Sequence, residues 1–300
     1  MKKVRKNLGV EELERKGLTG KGITVAVLDS GISMHPDLRK QVMVFQDFVN
    51  NKKEPYDDMG HGTHVSGIIA GNGFLSRGIY RGIAPEAKIV SLKVLNEQGN
   101  GNLENVLEGI HWIIDWGFQY GIRVVNLSFG ARYTGKPEDW ILMKAVRELW
   151  NLGYVVVASA GNNGPEENSI AVPGRCEKVI TVGAQDDDLG AMVNGIYKKN
   201  YSGRGNPMAN IQKPDIVAPA YKIQSCSNRW KKGRRYEAKT GTSMATPIIS
   251  GIIALMLQKN PKLSNDECKK ILKRTALPIG TNQGFQGYGR VHLKGIMNRI

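Results

Sequence analysis

The 300-residue sequence predicts a three-layer α/β/α fold built on a doubly wound, mainly parallel sheet. Short apolar runs rich in β-branched residues recur along the chain, and Gly- or Asn-rich turns followed by helical patterns separate them. Strands that are apolar on both faces and alternate with helices are typical of a parallel sheet covered on both sides. A chain of this length can bury about three-quarters of the surface that its unfolded form exposes, which suits one large domain.

The apolar runs place the elements in order. We expect six strands, at residues 23–29, 87–95, 123–129, 154–160, 178–184 and 215–219. Amphipathic helices are expected at 103–120 and 140–152, and an apolar helical stretch at 248–257. Residues 185–207 and 227–235 are interpreted as loops or hairpins.

Three polar residues follow predicted strands. Asp29 closes the first strand, Ser128 lies at the end of the third, and Asn162 follows the fourth. Open α/β sheets bind ligands at the carboxyl ends of their strands. These residues are therefore the first candidates for a functional site.

No shift in composition marks a second domain, so we expect one domain over residues 1–300, with residues 1–17 as an N-terminal leader segment. The first residues are basic but lack the apolar core of a signal peptide. No run reaches the roughly 20 apolar residues of a membrane span. The expectation is a cytoplasmic protein that does not bind membranes, unless a targeting segment was removed.

The chain is strongly basic. Lys and Arg outnumber Asp and Glu by 42 to 27, for a net charge of +15, with one dense run at residues 229–235. We interpret this charge as a solvated surface, because no nucleic-acid-binding signature accompanies it. The three cysteines, Cys176, Cys226 and Cys268, lack metal-type spacing and are expected as free thiols.

Ser243 is the first candidate for chemistry. It stands in GTSMATP at the start of an apolar helical stretch, where a serine usually acts only as a helix cap. Pro247 makes this helix start unusual, and small neighbours leave room for a substrate. These residues alone favour neither a helix-capping role nor a catalytic role for Ser243.

His61 stands between two glycines in GHGTHVSG, with His64 three residues later. A zinc site of the HExxH type needs a four-residue spacing and a glutamate, so that interpretation is not favoured. We expect His64 to be a packed helix residue. Asp29 ends an apolar strand, where a carboxylate needs a partner or caps a turn. Together Ser243, His61 and Asp29 supply a nucleophile, a base and the acid that orients the base.

The segments VAVLDSGI, HGTHVSG and GTSMATP, in this order, resemble the three signature segments of the subtilisin-like serine proteases, the subtilase family. The likeness extends from about residue 20 to 295 and includes HPDL, IAPEAKIVSLKVL, AGNNG and KPDIVAPA. PYDDMGHGTHVSG and EKVITVGA resemble in particular the intracellular alkaline serine proteases of bacilli. The resemblance implies a subtilisin-like fold and a serine endopeptidase that acts on peptide or protein substrates through an acyl-enzyme.

The resemblance also implies site residues. Asp29, His61 and Ser243 would form the catalytic triad, and Asn162 in ASAGNNG would donate to the oxyanion. The alternative interpretation of Asn162 is an ordinary loop asparagine in a turn. A substrate would pair as an added strand. The implied substrate-binding residues are Gly99, Asn100, Gly101, Leu103, Val106, Ser128, Phe129, Gly130, Ser159, Ala160 and Gly161. By analogy we expect broad specificity, with an apolar or aromatic residue before the cleaved bond.

The chain departs from the family in two places. The loop expected to bind structural calcium, AGNGFLSRGIYRG, carries Arg77 and Arg81, so calcium stays uncertain there. Asp186–Asp188 is the other candidate, with a solvated loop as its alternative. No cofactor is expected for the chemistry itself. The second departure is the basic stretch before Ser243, which we expect to favour acidic substrate residues on the leaving-group side.

Two other function classes remain as rivals. One is a catalytically silent family member that only binds, which the intact triad disfavours. The other is a basic protein that associates with nucleic acid, whose binding would weaken steeply with salt. The sequence alone leaves the physiological substrate and the oligomeric state undefined.

Overall fold

The computed structural model describes residues 1–193, 195–206, 208 and 212–300. Within this part of the chain the strands are β1 (Thr24–Asp29), β2 (Val42–Asp47), β3 (Lys88–Lys93), β4 (Ile122–Leu127), β5 (Val155–Ser159), β6 (Ile180–Ala184), β7 (Ala191–Val193), β8 (Ile196–Lys198), β9 (Ile216–Ala218), β10 (Ile223–Cys226) and β11 (Tyr236–Lys239). The helices are α1 (Lys2–Leu8), α2 (Val10–Arg15), α3 (His61–Ala70), α4 (Leu103–Trp116), α5 (Pro137–Asn151), α6 (Thr242–Lys259), α7 (Asn265–Thr275), α8 (Gln283–Gln286) and α9 (Leu293–Met297).

Seven of the strands form one sheet in the order β2-β3-β1-β4-β5-β6-β9. The pairs β1–β3, β2–β3, β5–β6 and β6–β9 are parallel, with Thr24 opposite Lys88 and Val157 opposite Ile180. Each predicted strand corresponds to one strand of this sheet, so the predicted fold class is confirmed. The strand β2 was missed: it lies at the sheet edge, and most of its side chains are partly exposed.

Contacts divide the chain into two compact units. Unit 1 comprises Met1–Asn126, Gln224–Ala238 and Ser250–Lys262, and unit 2 comprises Leu127–Ile223, Lys239–Ile249 and Leu263–Ile300. The interpretation as one domain stays a prediction.

In unit 1, α3 packs on the buried strands β1 and β3. Residues 1–17, predicted as a leader segment, contain α1 and α2 and contact the rest of this unit. The amino group of Met1 donates to Gln224 O at 3.0 Å. The buried guanidinium of Arg5 donates to Gly82 O and pairs with Glu14.

In unit 2, every residue of β5, β6 and β9 is buried, and α5 and α7 pack on β5. The stretch predicted as a loop or hairpin at 185–207 contains the antiparallel hairpin β7–β8. Positions 194 and 207 of that stretch lie outside the described residues. The second such stretch, 227–235, connects β10 to β11 in unit 1 and is therefore also part of a hairpin.

Two further expectations can be compared with the structure. Cys176, Cys226 and Cys268 are free and buried, as predicted. Among the described residues, no helix combines the length and the apolar character that a membrane crossing requires.

Candidate active site

His61 and Asp29 meet in unit 1, because α3 begins beside the carboxyl end of β1. His61 Nδ1 lies 2.8 Å from Asp29 Oδ1 and 2.9 Å from Oδ2. A carboxylate only accepts, so Nδ1 carries the proton and donates it. Nε2 is then the basic nitrogen of the neutral ring. The Asp29 side chain is 1% exposed and that of His61 15%, so solvent reaches the imidazole but not the carboxylate that orients it.

Two glycines permit this approach. A Cβ on Gly62 would lie 2.2 Å from Gly31 O and 3.1 Å from Asp29 Cβ, so no larger residue fits beside β1. Gly31 itself has a φ of +112°, and a Cβ there would lie 2.2 Å from Tyr56 O. The glycine directly after His61 therefore has a steric cause: the first turn of α3 must touch the backbone that follows Asp29.

Asp57 holds the start of α3, and the sequence analysis missed it. Its Oδ1 accepts hydrogen bonds from Ser30 Oγ at 2.9 Å and Gly60 N at 2.7 Å. Its Oδ2 accepts from Thr63 N at 2.8 Å and Thr63 Oγ1 at 2.6 Å. Gly60, which directly precedes the helix, has no side chain to cap it, so Asp57 satisfies an N-terminal N–H instead. An acidic residue shortly before a predicted helix start is the signal that could have indicated it.

Ser30 extends the same network. Its backbone N–H donates to Asp29 Oδ1 at 2.7 Å, and its Oγ accepts from Gly62 N at 3.0 Å. The carboxylate of Asp29 is thereby fixed by a neighbour that is itself bonded to Asp57. Two loops and the first turn of α3 thus share one set of hydrogen bonds around the His61–Asp29 pair.

Ser243 and Asn162 belong to unit 2. Ser243 is the second residue of α6 and is partly exposed between buried neighbours. Asn162 Oδ1 accepts from both Thr242 N and Thr242 Oγ1, each at 3.1 Å. Its amide nitrogen then lies toward Gly241, where a Cβ would be 3.4 Å away. The structure therefore places Asn162 against the residue that precedes Ser243.

The start of α6 is unusual, as the sequence predicted. Pro247 lies inside the helix and has no N–H to donate to the carbonyl of Ser243, four residues earlier. Thr246 Oγ1 instead donates to Thr242 O at 2.9 Å. Ser243 thus occupies a helix N-terminus, where the backbone N–H groups favour negative charge.

The predicted substrate-binding residues of unit 2 lie together. Ser159 Oγ donates to Phe129 O at 3.1 Å, which joins the segment 128–130 to the segment 159–161. A Cβ on Gly130 would lie 2.8 Å from Ala171 Cβ, and one on Gly161 would lie 2.5 Å from it. Ser128, Ser159 and Ala160 are buried, whereas Phe129 and Gly130 reach the surface. The two segments therefore form one surface around Ala171.

The predicted substrate-binding residues of unit 1 lie where β3 leads into α4. Asn96 N donates a hydrogen bond to Asn100 O at 2.9 Å, which closes the turn, and Gly99 has a φ of +82°. Asn100 and Gly101 are exposed. Leu103 begins α4, capped by Asn102, and Val106 lies buried one turn later. A short, exposed segment that contains glycine therefore directly precedes α4, whose first turn carries the apolar side chains of Leu103 and Val106.

His64 is a packed helix residue, as predicted. It is buried within α3, and its Nε2 lies 3.1 Å from Glu237 O. Its backbone carbonyl accepts from Ser225 Oγ at 2.8 Å. His64 therefore serves the packing of α3 on β10 and β11.

The two places considered for calcium are both engaged in contacts within the protein. In the loop after α3, Arg81 Nε donates to Asn72 O at 3.0 Å and the guanidinium pairs with Glu14, which places a cation among the oxygens. Asp186 is engaged by Ala220 N and Tyr221 N. Asp187 is 2% exposed, not solvated, and burial raises its pKa to about 6. An arginine does not coordinate calcium, so the loop after α3 is the poorer of the two places, and calcium at Asp186–Asp188 stays a prediction.

Comparison with known proteins identifies the family of this chain. The subtilase family model matches residues 20–289. Serine protease AprX of Bacillus subtilis (strain 168) is 46% identical over 281 residues, which are 88% of this chain and 63% of AprX. Subtilisin Savinase of Lederbergia lenta is 37% identical over 278 residues, 92% of this chain and 91% of Savinase.

A solved structure gives the same result. Sphericase superimposes with a TM-score of 0.77 at 30% identity, covering 91% of this chain and 92% of its own. The chain spans less than two thirds of AprX and of M-protease from Shouchella clausii, 63% and 64% of their lengths. The match nevertheless covers most of this chain, with the segments around Asp29, His61, Asn162 and Ser243 inside it. The chain belongs to the subtilase family.

Proposed function

We propose that the protein is a serine endopeptidase that hydrolyses peptide bonds through an acyl-enzyme. The observation that carries this proposal is the pair of bonds from His61 Nδ1 to Asp29, formed at the end of β1 in a chain of the subtilase family. This pair gives the imidazole one defined tautomer and a buried negative partner, which is what a general base needs.

In the first step, Ser243 Oγ attacks the carbonyl carbon of the substrate. The proposal requires His61 Nε2 to lie within hydrogen-bonding reach of that oxygen. The Oγ–C bond forms as the proton passes to Nε2, and the Asp29 carboxylate stabilises the imidazolium that results. The C–N bond then breaks, and the leaving amine takes the proton from Nε2.

The negative charge on the tetrahedral intermediate needs donors. We assign the Asn162 amide and the backbone N–H of Ser243, the second of which lies at the N-terminus of α6. The bonds that Asn162 Oδ1 accepts from Thr242 fix the orientation of its amide before substrate arrives. Water, activated by the same His61, then hydrolyses the acyl-enzyme and restores Ser243.

The substrate side of the proposal is an extended peptide whose residue before the cleaved bond is apolar or aromatic. The small side chains of residues 159–161 support a roomy pocket in unit 2. The exposed backbone of residues 99–101 supports main-chain pairing with a peptide. Backbone pairing recognises every sequence equally, which is consistent with broad specificity.

The test compares the purified protein with its Ser243→Ala variant. We expect hydrolysis of succinyl-Ala-Ala-Pro-Phe-p-nitroanilide by the parent and a loss of about 10⁶-fold in kcat in the variant, as for removal of a serine nucleophile in subtilisin. A control variant, Ser76→Ala, removes a partly exposed hydroxyl after α3 and keeps full activity. A fluorophosphonate probe must label the parent and Ser76→Ala but not Ser243→Ala.

The rivals predict other results. A silent binding protein gives neither turnover nor labelling, which would contradict the proposal. A nucleic-acid-binding protein retains a duplex on a filter at low salt and loses it steeply as salt rises. Replacing Phe by Asp in the nitroanilide should lower kcat/KM strongly; equal hydrolysis of both would contradict the apolar pocket.

A further inference from the structure

The acidic run that follows β6 contains two carboxylates that are used inside unit 2. Asp187 is 2% exposed and Asp186 is partly buried, whereas Asp188 is exposed. Each of the first two side chains accepts hydrogen bonds from the backbone of a different loop. The three residues look alike in the sequence, so only the fold separates the two engaged carboxylates from the exposed one.

Asp187 holds the loop of residues 200–204, here called the support loop. Ser202 N donates to Asp187 Oδ2 at 3.1 Å, and Asn200 N donates to the Asp187 carbonyl at 2.9 Å. Ser202 is 0% exposed, so water does not replace the carboxylate as the partner of its N–H. A buried donor without a partner is costly. The side chain of Asp187 therefore fixes where the support loop lies.

The support loop in turn holds the chain on both sides of Asn162. Gly203 N donates to Gly161 O at 2.8 Å, which fixes the residue before Asn162. Gly164 N donates to Tyr201 O at 2.9 Å, which fixes the chain two residues after it. The segment that carries the proposed oxyanion donor is thus bonded at both ends to a loop that Asp187 orients.

These contacts leave no space for a side chain. A Cβ on Gly203 would lie 2.2 Å from Ala160 O, and one on Gly164 would lie 2.1 Å from Ser202 O. Backbone therefore touches backbone, and no flexible side chain lies between the two segments to absorb a shift. A displacement of the support loop is passed on to Asn162.

Asp186 reaches Asn162 by a second path. Its Oδ1 accepts from Ala220 N at 2.9 Å. The carbonyl of Ala220 accepts from Gly241 N at 3.2 Å. Gly241 directly precedes Thr242, whose N–H and hydroxyl both donate to Asn162 Oδ1. The two neighbouring carboxylates thus lead by separate hydrogen-bond paths to the same amide side chain.

We propose that Asp186 and Asp187 are positioning residues of the oxyanion site, which hold the two loops that fix the Asn162 amide before substrate binds. They act through other residues and not on the reacting atoms. The inference rests on the proposed peptidase function and on the role of Asn162 in it. Oxyanion stabilisation depends on donors that are already in place, and a misplacement of about 1 Å can cost about 100-fold in rate. We therefore expect these carboxylates to affect kcat and not KM.

The test is a double-mutant cycle between Asp187→Ala and Asn162→Ala, with kcat measured on the nitroanilide. Complete labelling with the fluorophosphonate counts the active sites, so unfolded molecules do not lower the value. We expect Asp187→Ala to lower kcat about tenfold in the parent, but by less than about threefold in the Asn162→Ala background. A residue that only stabilises the fold lowers kcat by the same factor in both backgrounds, and equal factors overturn the proposal.

Two substitutions in the same run serve as controls. Asp188→Ala removes the exposed carboxylate and should leave kcat unchanged. Asp187→Asn keeps an oxygen for Ser202 N but removes the charge that lies 3.9 Å from Arg204, and it should restore most of the kcat lost in Asp187→Ala. A fall in Asp188→Ala or in Asp187→Asn as large as that in Asp187→Ala would show that charge and not hydrogen bonding sets kcat, which contradicts the proposal.

The same cycle with Asp186→Ala tests the second path, and it decides the proposal if Asp187→Ala does not fold. The fall in kcat must again be smaller in the Asn162→Ala background than in the parent. Absence of turnover in the parent protein refutes the proposed function, and this inference with it. Normal turnover in the parent together with equal factors in both backgrounds refutes the inference alone.

Discussion

Replacing Asp57 by Asn should loosen the start of α3 without touching His61. The carboxylate accepts four hydrogen bonds, two at each oxygen, from Ser30, Gly60 and Thr63. An Asn at this position can present only one oxygen. Its NH₂ group then faces a pair of donors, one of which is a backbone N–H, from either Gly60 or Thr63.

The structure gives the size of this effect. The hydroxyl on either side can rotate to accept, but the backbone N–H cannot, and Asp57 is only 8% exposed. A buried donor left without a partner costs about 1–3 kcal/mol, and the lost charge at the helix N-terminus adds about 0.3–1 kcal/mol. The free energy of unfolding should therefore fall by about 1.3–4 kcal/mol, a loss of roughly 2–6 °C in the unfolding midpoint.

The assay is thermal unfolding in the Ser243→Ala background, followed by kcat of Asp57→Asn in the active enzyme. The matched control is Glu54→Gln, which removes one exposed negative charge from the same segment and should change stability by less than about 0.5 kcal/mol. We expect kcat to fall about tenfold or more because the imidazole is less well placed. Equal midpoints for Asp57→Asn and Glu54→Gln would refute the role of Asp57.

Three further changes test other parts of the molecule. Asn162→Ala should lower kcat about 100- to 1,000-fold with little change in KM, which is the loss known for removal of an oxyanion donor in subtilisin. A normal kcat in steady-state assays would show that Asn162 does not bind the oxyanion. Asp187→Asn should stabilise the folded protein more at pH 7.5 than at pH 4.5 in thermal unfolding. Burial raises the Asp187 pKa from 3.8 to about 6, so between these pH values the folded state holds a proton that the unfolded state has lost. The stability of the parent protein therefore falls as the pH rises through this range, and the neutral Asn removes that loss. An effect that is equal at both pH values would contradict this. In the exposed β10–β11 connection, replacing Lys231 and Lys232 by Ser should reduce any preference for acidic residues after the cleaved bond in a peptide-library digest at low salt. The control replaces two other exposed lysines, Lys259 and Lys262, by Ser. If both double variants show the same selectivity, the basic stretch is only a solvated surface.

Most of the sheet was predictable because six of its seven strands are largely or wholly buried. β1 and β5 are buried along their whole length and mostly apolar, and polar turns mark their ends, so the sequence located them within a residue or two. β2 lacks this signal because it is an edge strand paired only with β3, and its side chains are half in solvent. The fold class survives the omission, since an edge strand adds to a sheet without changing its order.

The sequence predicted the reacting groups of the candidate site but not the residues that hold these groups in place. Asp29 and His61 carry chemistry that few other roles need, and the glycines on each side of His61 signal a close approach that Gly62 indeed makes. Asp57 carries only the weaker signal of an acidic residue shortly before a helix start, because an aspartate in a polar loop is ordinary until the fold buries it. Its four partners come from three positions, and only the folded chain brings them together.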